Sequence, residues 1–190
     1  MRERKRNRQI TMMFSAVLAV SLTLVSGVAA QENEQVVEVK SVLARDAVRP
    51  GETFKAAVIL KVQAGYHIND NAPLDEFMFP TSVSIEDGPE FEVVEIYYPA
   101  GRRARYSYSE TELVVYDGEA VLGVLLKAKE GLARGAKTLK AVLNYQACDN
   151  TSCLPPKELA FEMVVPVART GGADIHPEIF GKLRFKSLQK

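Results

Sequence analysis

Several features that would mark a specialised class of protein are missing from this sequence. It has no tryptophan, only two cysteines and two histidines, and its basic and acidic side chains balance at 24 each. Because the chain lacks the basic footprint of a nucleic-acid-binding protein, we expect no nucleic acid as a partner. After residue 30, no apolar run approaches the roughly 18 residues of a membrane-spanning helix. With 47% hydrophobic residues, the composition is that of a globular protein.

The first 30 residues have the three parts of a secretory signal. A positive segment is followed by an apolar run over residues 12–25 and then by the small residues Val28, Ala29 and Ala30. We therefore predict a signal peptide at residues 1–30 that is cleaved, so that the exported protein has no stable membrane insertion. The alternative is an uncleaved anchor over residues 10–30, which is barely long enough to span and is interrupted by Ser, Thr and Gly.

The pattern beyond the signal predicts an all-β domain. Apolar and polar residues alternate in short segments rich in Val, Ile, Phe and Tyr, and no helical period persists for three turns. The predicted strands cover residues 36–43, 53–62, 82–86, 91–98, 112–116, 120–128, 138–147 and 159–167. Arg-Pro-Gly-Glu at residues 49–52 is typical of a type II turn, and Asp117-Gly118 predicts a tight hairpin. Eight strands without crossover helices favour an immunoglobulin-like antiparallel β-sandwich over residues 31–168.

Three stretches interrupt this strand pattern. Residues 64–80 and 99–110 form long loops, and long loops on a sandwich often carry function. The first loop contains Tyr66 and His67, and the second contains Tyr106, Tyr108 and three arginines. Residues 169–190, which include a Gly-Gly pair, are predicted to be a C-terminal tail, either mobile or a short docking segment.

The two cysteines, Cys148 and Cys153, enclose a polar turn of four residues. A strand is predicted to end at Cys148, and Cys153 is predicted to open the returning strand. Opposed positions beside such a turn lie within disulfide reach, and export places the pair in an oxidising compartment. We therefore expect the two cysteines to be able to pair.

Spacing alone leaves two interpretations of this pair open. As a structural clip, a ring of six residues stabilises the fold by roughly 2 kcal/mol, less than a bridge between distant strands would. As a redox site, a pair within one hairpin can open and close without unfolding the domain. A metal site would need His67 and His176 beside both cysteines, and the spacing does not fit zinc. We predict neither a metal nor an organic cofactor, and no serine nucleophile elbow is present.

Two motifs make the sequence resemble a known family. Residues 144–156 read Asn-Tyr-Gln-Ala-Cys-Asp-Asn-Thr-Ser-Cys-Leu-Pro-Pro, and residues 65–69 read Gly-Tyr-His-Ile-Asn. Tyr-Gln-x-Cys followed by Cys-x-Pro-Pro resembles the N-terminal periplasmic domain of the thiol:disulfide interchange protein DsbD. The second motif is similar to a Gly-aromatic loop of that family. Outside these motifs the similarity over residues 36–167 is one of strand pattern.

The resemblance implies a fold, an activity and a set of site residues. It implies an immunoglobulin-like periplasmic domain with protein-disulfide reductase, or thiol:disulfide interchange, activity. Such a domain passes reducing equivalents from a membrane electron donor to thioredoxin-like periplasmic proteins, including cytochrome c maturation factors. By this resemblance Cys153 attacks the partner and Cys148 resolves the mixed disulfide. The surrounding residues are Tyr145, Gln146, Tyr66, His67, which aligns near a family tyrosine, and Tyr106 or Tyr108 as the cap over the cysteines.

The sequence departs from the family pattern in three ways. The cysteines here have one residue fewer between them, which makes a tighter ring. Arg102, Arg103 and Arg105 lie where acidic cap residues are expected, so that nearby positive charge would favour thiolate. The family's transmembrane and thioredoxin-like domains have no counterpart in this sequence, so we expect the donor to be a separate chain. The rival function is a non-catalytic immunoglobulin-like binding module that keeps the disulfide as a permanent clip.

Overall fold

A computed structural model describes residues 35–86 and 88–189, and the predicted signal peptide lies outside them. The fold is an immunoglobulin-like antiparallel β-sandwich. Its eleven described strands are β1 Val37–Leu43, β2 Thr53–Val62, β3 His67–Asn69, β4 Ser82–Ile85, β5 Phe91–Tyr97, β6 Arg102–Ala104, β7 Leu113–Tyr116, β8 Glu119–Ala128, β9 Gly135–Tyr145, β10 Ala147–Cys148 and β11 Lys157–Val167. Two short helical segments follow, α1 Pro177–Phe180 and a 3₁₀ turn at Lys186–Leu188.

The strands form two layers around one hydrophobic core. One layer is a four-stranded sheet with the order β1-β2-β8-β5. The other consists of a three-stranded sheet, β11-β9-β4, and a four-stranded sheet, β10-β3-β7-β6, which meet where β9 leads into β10. Every ladder between these strands is antiparallel. The core draws side chains from both layers, among them Leu60, Leu122, Leu143 and Tyr145.

The long alternating strands follow the sequence prediction to within a few residues, and the turn at residues 49–52 is confirmed. In that turn the Glu52 amide donates to the Arg49 carbonyl over 3.1 Å, and Gly51 has the positive φ of 79° that a type II turn requires. The hairpin predicted at Asp117-Gly118 is wrong. Strands β7 and β8 on either side of it belong to different sheets, so this connection carries the chain from one layer to the other.

Both predicted loops contain short strands. Strand β3 lies within residues 64–80 and β6 lies within residues 99–110, and each has only three residues. Together with β7 and the two-residue β10 they build the small sheet β10-β3-β7-β6. The described residues include no helix that is long and apolar enough to cross a membrane.

The segment predicted as a C-terminal tail packs on the outer face of the β1-β2-β8-β5 sheet. Phe180, Leu183 and Phe185 are buried there against Ala57 and Leu125. Gly123 makes room for this packing, because a Cβ at that position would lie 2.6 Å from Cζ of Phe185. This cover explains why β8 is apolar on both faces, a pattern that leaves no face of the strand for water.

We predict that Phe185→Ala lowers the free energy of unfolding by about 3 kcal/mol, since it empties a buried aromatic site. Urea unfolding followed by circular dichroism measures the change. Leu188→Ala, at a side chain that is 50% exposed, is the matched control and leaves the midpoint nearly unchanged. Equal midpoints for the two variants would mean that the C-terminal segment contributes little to stability.

Candidate active site

The two cysteines lie at directly opposed positions beyond the end of the β9–β11 hairpin. Cys148 ends β10 and forms an antiparallel bridge with Cys153, and a disulfide joins them across Cα atoms 3.9 Å apart. The predicted continuous strand through Cys148 is interrupted at Gln146. The Gln146 amide Nε2 donates to the Leu154 carbonyl over 3.1 Å, and the Leu154 amide donates to the Ala147 carbonyl over 2.8 Å. These two bonds keep the short cysteine ladder in register.

The turn between the cysteines is organised by Asp149. Its Oδ1 accepts hydrogen bonds from the Thr151 amide at 2.7 Å, the Thr151 hydroxyl at 2.8 Å and the Ser152 amide at 2.8 Å. These bonds, led by the one from the Thr151 amide, hold the pKa of Asp149 below its usual value. Asp149 is therefore an ionised carboxylate that is adjacent in sequence to Cys148 at neutral pH.

The two cysteines differ in exposure because they differ in ladder neighbours. Cys148 pairs with Cys153 on one side and with His67 of β3 on the other, and it is completely buried. Cys153 is only partly buried, and it is followed at one residue's distance by Pro155 and Pro156, both exposed. A reagent or partner therefore reaches the Cys153 sulfur more readily than the Cys148 sulfur.

An aromatic cluster lies over the face of the small sheet that carries Cys148. It belongs to the connection between β6 and β7, residues 105–112, which we call the cap loop. The Tyr106 ring stacks on the His67 ring with centroids 3.9 Å apart, and the Tyr108 hydroxyl lies 2.7 Å from His67 Nε2. In addition, the Ser107 hydroxyl donates to the Asn150 carbonyl over 2.8 Å, which joins the cap loop to the cysteine turn.

Burial changes the pKa values within this cluster. His67 is 3% exposed, and desolvation, with a smaller contribution from Arg102, lowers its pKa to about 4. Desolvation raises the pKa of Tyr108 to about 12. At neutral pH the imidazole is therefore neutral and the phenol keeps its proton, so that Tyr108 can donate to Nε2.

Two of the three arginines at and just before the cap loop, Arg102 and Arg103 of β6, are paired with carboxylates. Arg102 Nε lies 2.9 Å from Asp117 Oδ2, and Arg103 Nη1 lies 3.0 Å from Glu112 Oε2. The positive charge that the sequence places near the cysteines is thus largely balanced within the cap region. Any effect of Arg102 on a thiol is opposed by Asp117 and by Asp149.

The remaining predicted site residues lie at the margins of the site. Tyr145 is 1% exposed and belongs to the hydrophobic core, where burial raises its pKa. Tyr66 is half-buried and packs on the edge of that core. It borders an open groove of about 660 Å³ beside the cysteine turn, whose lining also includes His67, Tyr106 and Asn150. Among residues 35–86 and 88–189, no three His, Cys, Asp or Glu side chains are grouped as metal ligands would be.

A family model described as "Thiol:disulfide interchange protein DsbD, N-terminal" matches residues 33–164, well over half of the chain. The chain belongs to this family. The match ends before the C-terminal segment that covers the outer sheet, so that this segment lies outside the matched residues.

Solved structures with this kind of domain are similar at low identity. The reduced DsbD N-terminal domain of Neisseria meningitidis is 18% identical, with 67% of this chain and 85% of that chain covered and a TM-score of 0.41. The N-terminal periplasmic domain of ScsB from Proteus mirabilis is 13% identical, with 70% and 47% covered and a TM-score of 0.48. A complex of the DsbD and PilB N-terminal domains from Neisseria meningitidis is 18% identical, with 64% and 80% covered and a TM-score of 0.39. No curated protein matches the sequence.

Sequence reasoning missed three polar residues of the site in the DsbD-type domain. Asp149 had a local signal, since Asp followed by Asn-Thr-Ser is typical of a turn closed by the Asp side chain. Ser107 and Asp117 had none, because their partners Asn150 and Arg102 are distant in sequence and meet only through the small sheet.

We predict that Asp149→Asn makes the thiols of the reduced protein react about two- to fivefold faster with iodoacetamide at neutral pH. The carboxylate opposes formation of a nearby thiolate, whereas an amide does not. Asparagine retains the Oδ1 acceptor that holds the turn, and Asp149→Ala, which lacks it, separates the effect of charge from that of the turn. Equal rates for Asp149→Asn and the parent would show that the carboxylate does not act on the thiols.

Proposed function

We propose that this DsbD-type domain is a thiol:disulfide exchange protein that passes two electrons from the Cys148–Cys153 pair to thioredoxin-like partners in the periplasm. Family membership supports the class of reaction. The observation that carries the proposal for this chain is the unequal exposure of its two cysteines, one fully buried and one accessible. Thiol:disulfide exchange uses such an asymmetry, because one sulfur must be accessible to attack the partner's disulfide and the other must lie close enough to resolve the mixed disulfide.

The reaction starts from the reduced pair. The Cys153 thiolate attacks one sulfur of the partner's disulfide, and the partner's other sulfur leaves as a thiolate and takes up a proton. The Cys148 thiolate, formed by loss of its proton, then attacks the Cys153 sulfur and displaces the partner's first sulfur. The partner leaves as a dithiol, and the domain is left with the disulfide between Cys148 and Cys153. No metal or organic cofactor takes part in these steps.

The position of Cys148 suits the second step. In the oxidised form its Cα is 3.9 Å from that of Cys153, and the hydrogen bonds that join Gln146 and Ala147 to Leu154 hold both backbones. A resolving thiol held beside the mixed disulfide reacts as an intramolecular group, which favours release of the reduced partner over accumulation of the mixed disulfide. A separate membrane electron donor would then reduce the pair again, with the domain exported by the signal at residues 1–30.

We predict that Cys153→Ser abolishes reduction of an oxidised thioredoxin-fold partner, whereas Cys148→Ser accumulates a mixed disulfide with it. The trapped species is measured by non-reducing electrophoresis and mass spectrometry, with the double variant as the control. The reduction potential of the parent should lie well above about −300 mV, because structural disulfides have potentials below that value. A potential below about −300 mV, together with no trapped species, would make the disulfide a permanent clip and the domain a binding module.

A further inference from the structure

His67 connects more parts of the site than either cap tyrosine does. Its backbone pairs with Cys148 in the ladder, its ring stacks on Tyr106, and its Nε2 lies 2.7 Å from the Tyr108 hydroxyl. The cap loop therefore closes on an imidazole that is itself fixed in the strand beside the buried cysteine. The Ser107 hydroxyl of the cap loop also donates to the Asn150 carbonyl, which joins the loop to the cysteine turn.

We propose that His67 is a positioning residue that holds the cap loop over Cys148 and couples the opening of that loop to the uptake of a proton. The inference rests on the proposed function, since it concerns access of a partner to the exchange pair. It concerns a residue that does not itself exchange electrons. His67 acts through the two tyrosines that it holds in place.

The closed loop favours a neutral His67. In the neutral ring the Tyr108 hydroxyl can donate to Nε2, and in the protonated ring the Nε2–H can donate to the hydroxyl oxygen, so this hydrogen bond does not select between the two forms. Burial does, because protonation would leave a cation that is 3% exposed under the Tyr106 ring. An imidazolium in water carries no such cost, so the open loop binds a proton more tightly than the closed loop does.

The charges around His67 act in both directions. Titratable or charged groups face it from β6, from the β7–β8 connection, from the cysteine turn, from β10 and from the cap loop. They are Arg102, Asp117, Asp149, Cys148, Tyr106 and Tyr108, with Lys61 and Glu119 along the same groove. Arg102 disfavours the imidazolium, while Asp117 and Asp149 favour it, and burial outweighs all three.

The direction of the pH effect follows from linkage. The closed loop holds His67 with a pKa of about 4, and an exposed histidine has its ordinary value near 6.5. Between these values the open state binds more protons, so that opening becomes more favourable as the pH falls. From about pH 7.5 to about pH 5, the open population should rise about 10- to 30-fold.

The test measures exposure of Cys148 without any partner. In the Cys153→Ser background, Cys148 is the single thiol, and its burial makes labelling by a methanethiosulfonate reagent depend on opening. The rate is recorded from about pH 7.5 to about pH 5 and divided by that of N-acetylcysteine, which removes the intrinsic dependence on thiolate. The relative rate of the His67 parent should rise about 10- to 30-fold over this range.

Two groups of variants separate the proton from the contact. His67→Phe keeps a ring against Tyr106 and His67→Gln keeps a polar side chain, and both should label at a relative rate that no longer changes with pH. Tyr108→Phe removes the hydrogen bond but leaves His67, so it should label faster at neutral pH and retain a rise on acidification. Tyr98→Phe is the control, because its hydroxyl bonds the Val83 amide in another sheet and its loss should leave the parent profile unchanged.

A flat profile for the parent, or the same rise in both His67 variants as in the parent, would overturn the inference. Circular dichroism at each pH identifies a variant that unfolds. If one of the two His67 variants unfolds, the other is enough for the comparison with the parent. The outcome is independent of electron transfer. The labelling rate of the parent could depend on pH and lose that dependence in the His67 variants, while the protein traps no thioredoxin-fold partner. That result would support proton-coupled opening of the cap loop and reject the proposed function.

Discussion

The site depends on burying both faces of a sheet that is very small. Ile68, Tyr116 and Ala147 point into the main core, while His67, Asn69, Val115 and Cys148 occupy the opposite face and are also buried. Strands of two to four residues supply few ladder bonds, so their pairing is stable only with cover on both sides. Tyr106 and Tyr108 of the cap loop contact His67 on that face, which ties the burial of the face to the position of the loop.

The long strands could be predicted because each contains enough residues to establish a period. Strand β2 was predicted with its observed bounds, and β8 within one residue, since ten residues distinguish a strand from a helix. Strands β3, β6 and β10 have two or three residues each, too few for any period. Without them, β7 had no visible neighbour except β8, and the Asp117-Gly118 connection therefore resembled a hairpin.

The candidate site could be predicted from its local motif but not from its long-range contacts. The cysteines and the nearby Gln146 lie within a few residues of each other, so the sequence displays them together. The stack of His67 on Tyr106 joins residues that are 39 positions apart, and it exists because β3 and β6 both pair with β7. The packing of the C-terminal segment could also have been predicted. Strand β8 is apolar on both faces and therefore requires cover on its outer face, and the apolar residues of the C-terminal segment supply it.

The different roles proposed for the two cysteines follow from the ladder and not from their own chemistry. Cys148 has ladder partners on two sides, whereas Cys153 has Cys148 on one side and is followed by a pair of prolines that cannot donate hydrogen bonds to a further strand. The side of Cys153 that faces away from the ladder is therefore the open approach to the disulfide. The cap loop contacts His67, on the other side of Cys148, and Asn150, in the turn between the cysteines, so that its opening bears on the buried cysteine while a partner approaches the exposed one.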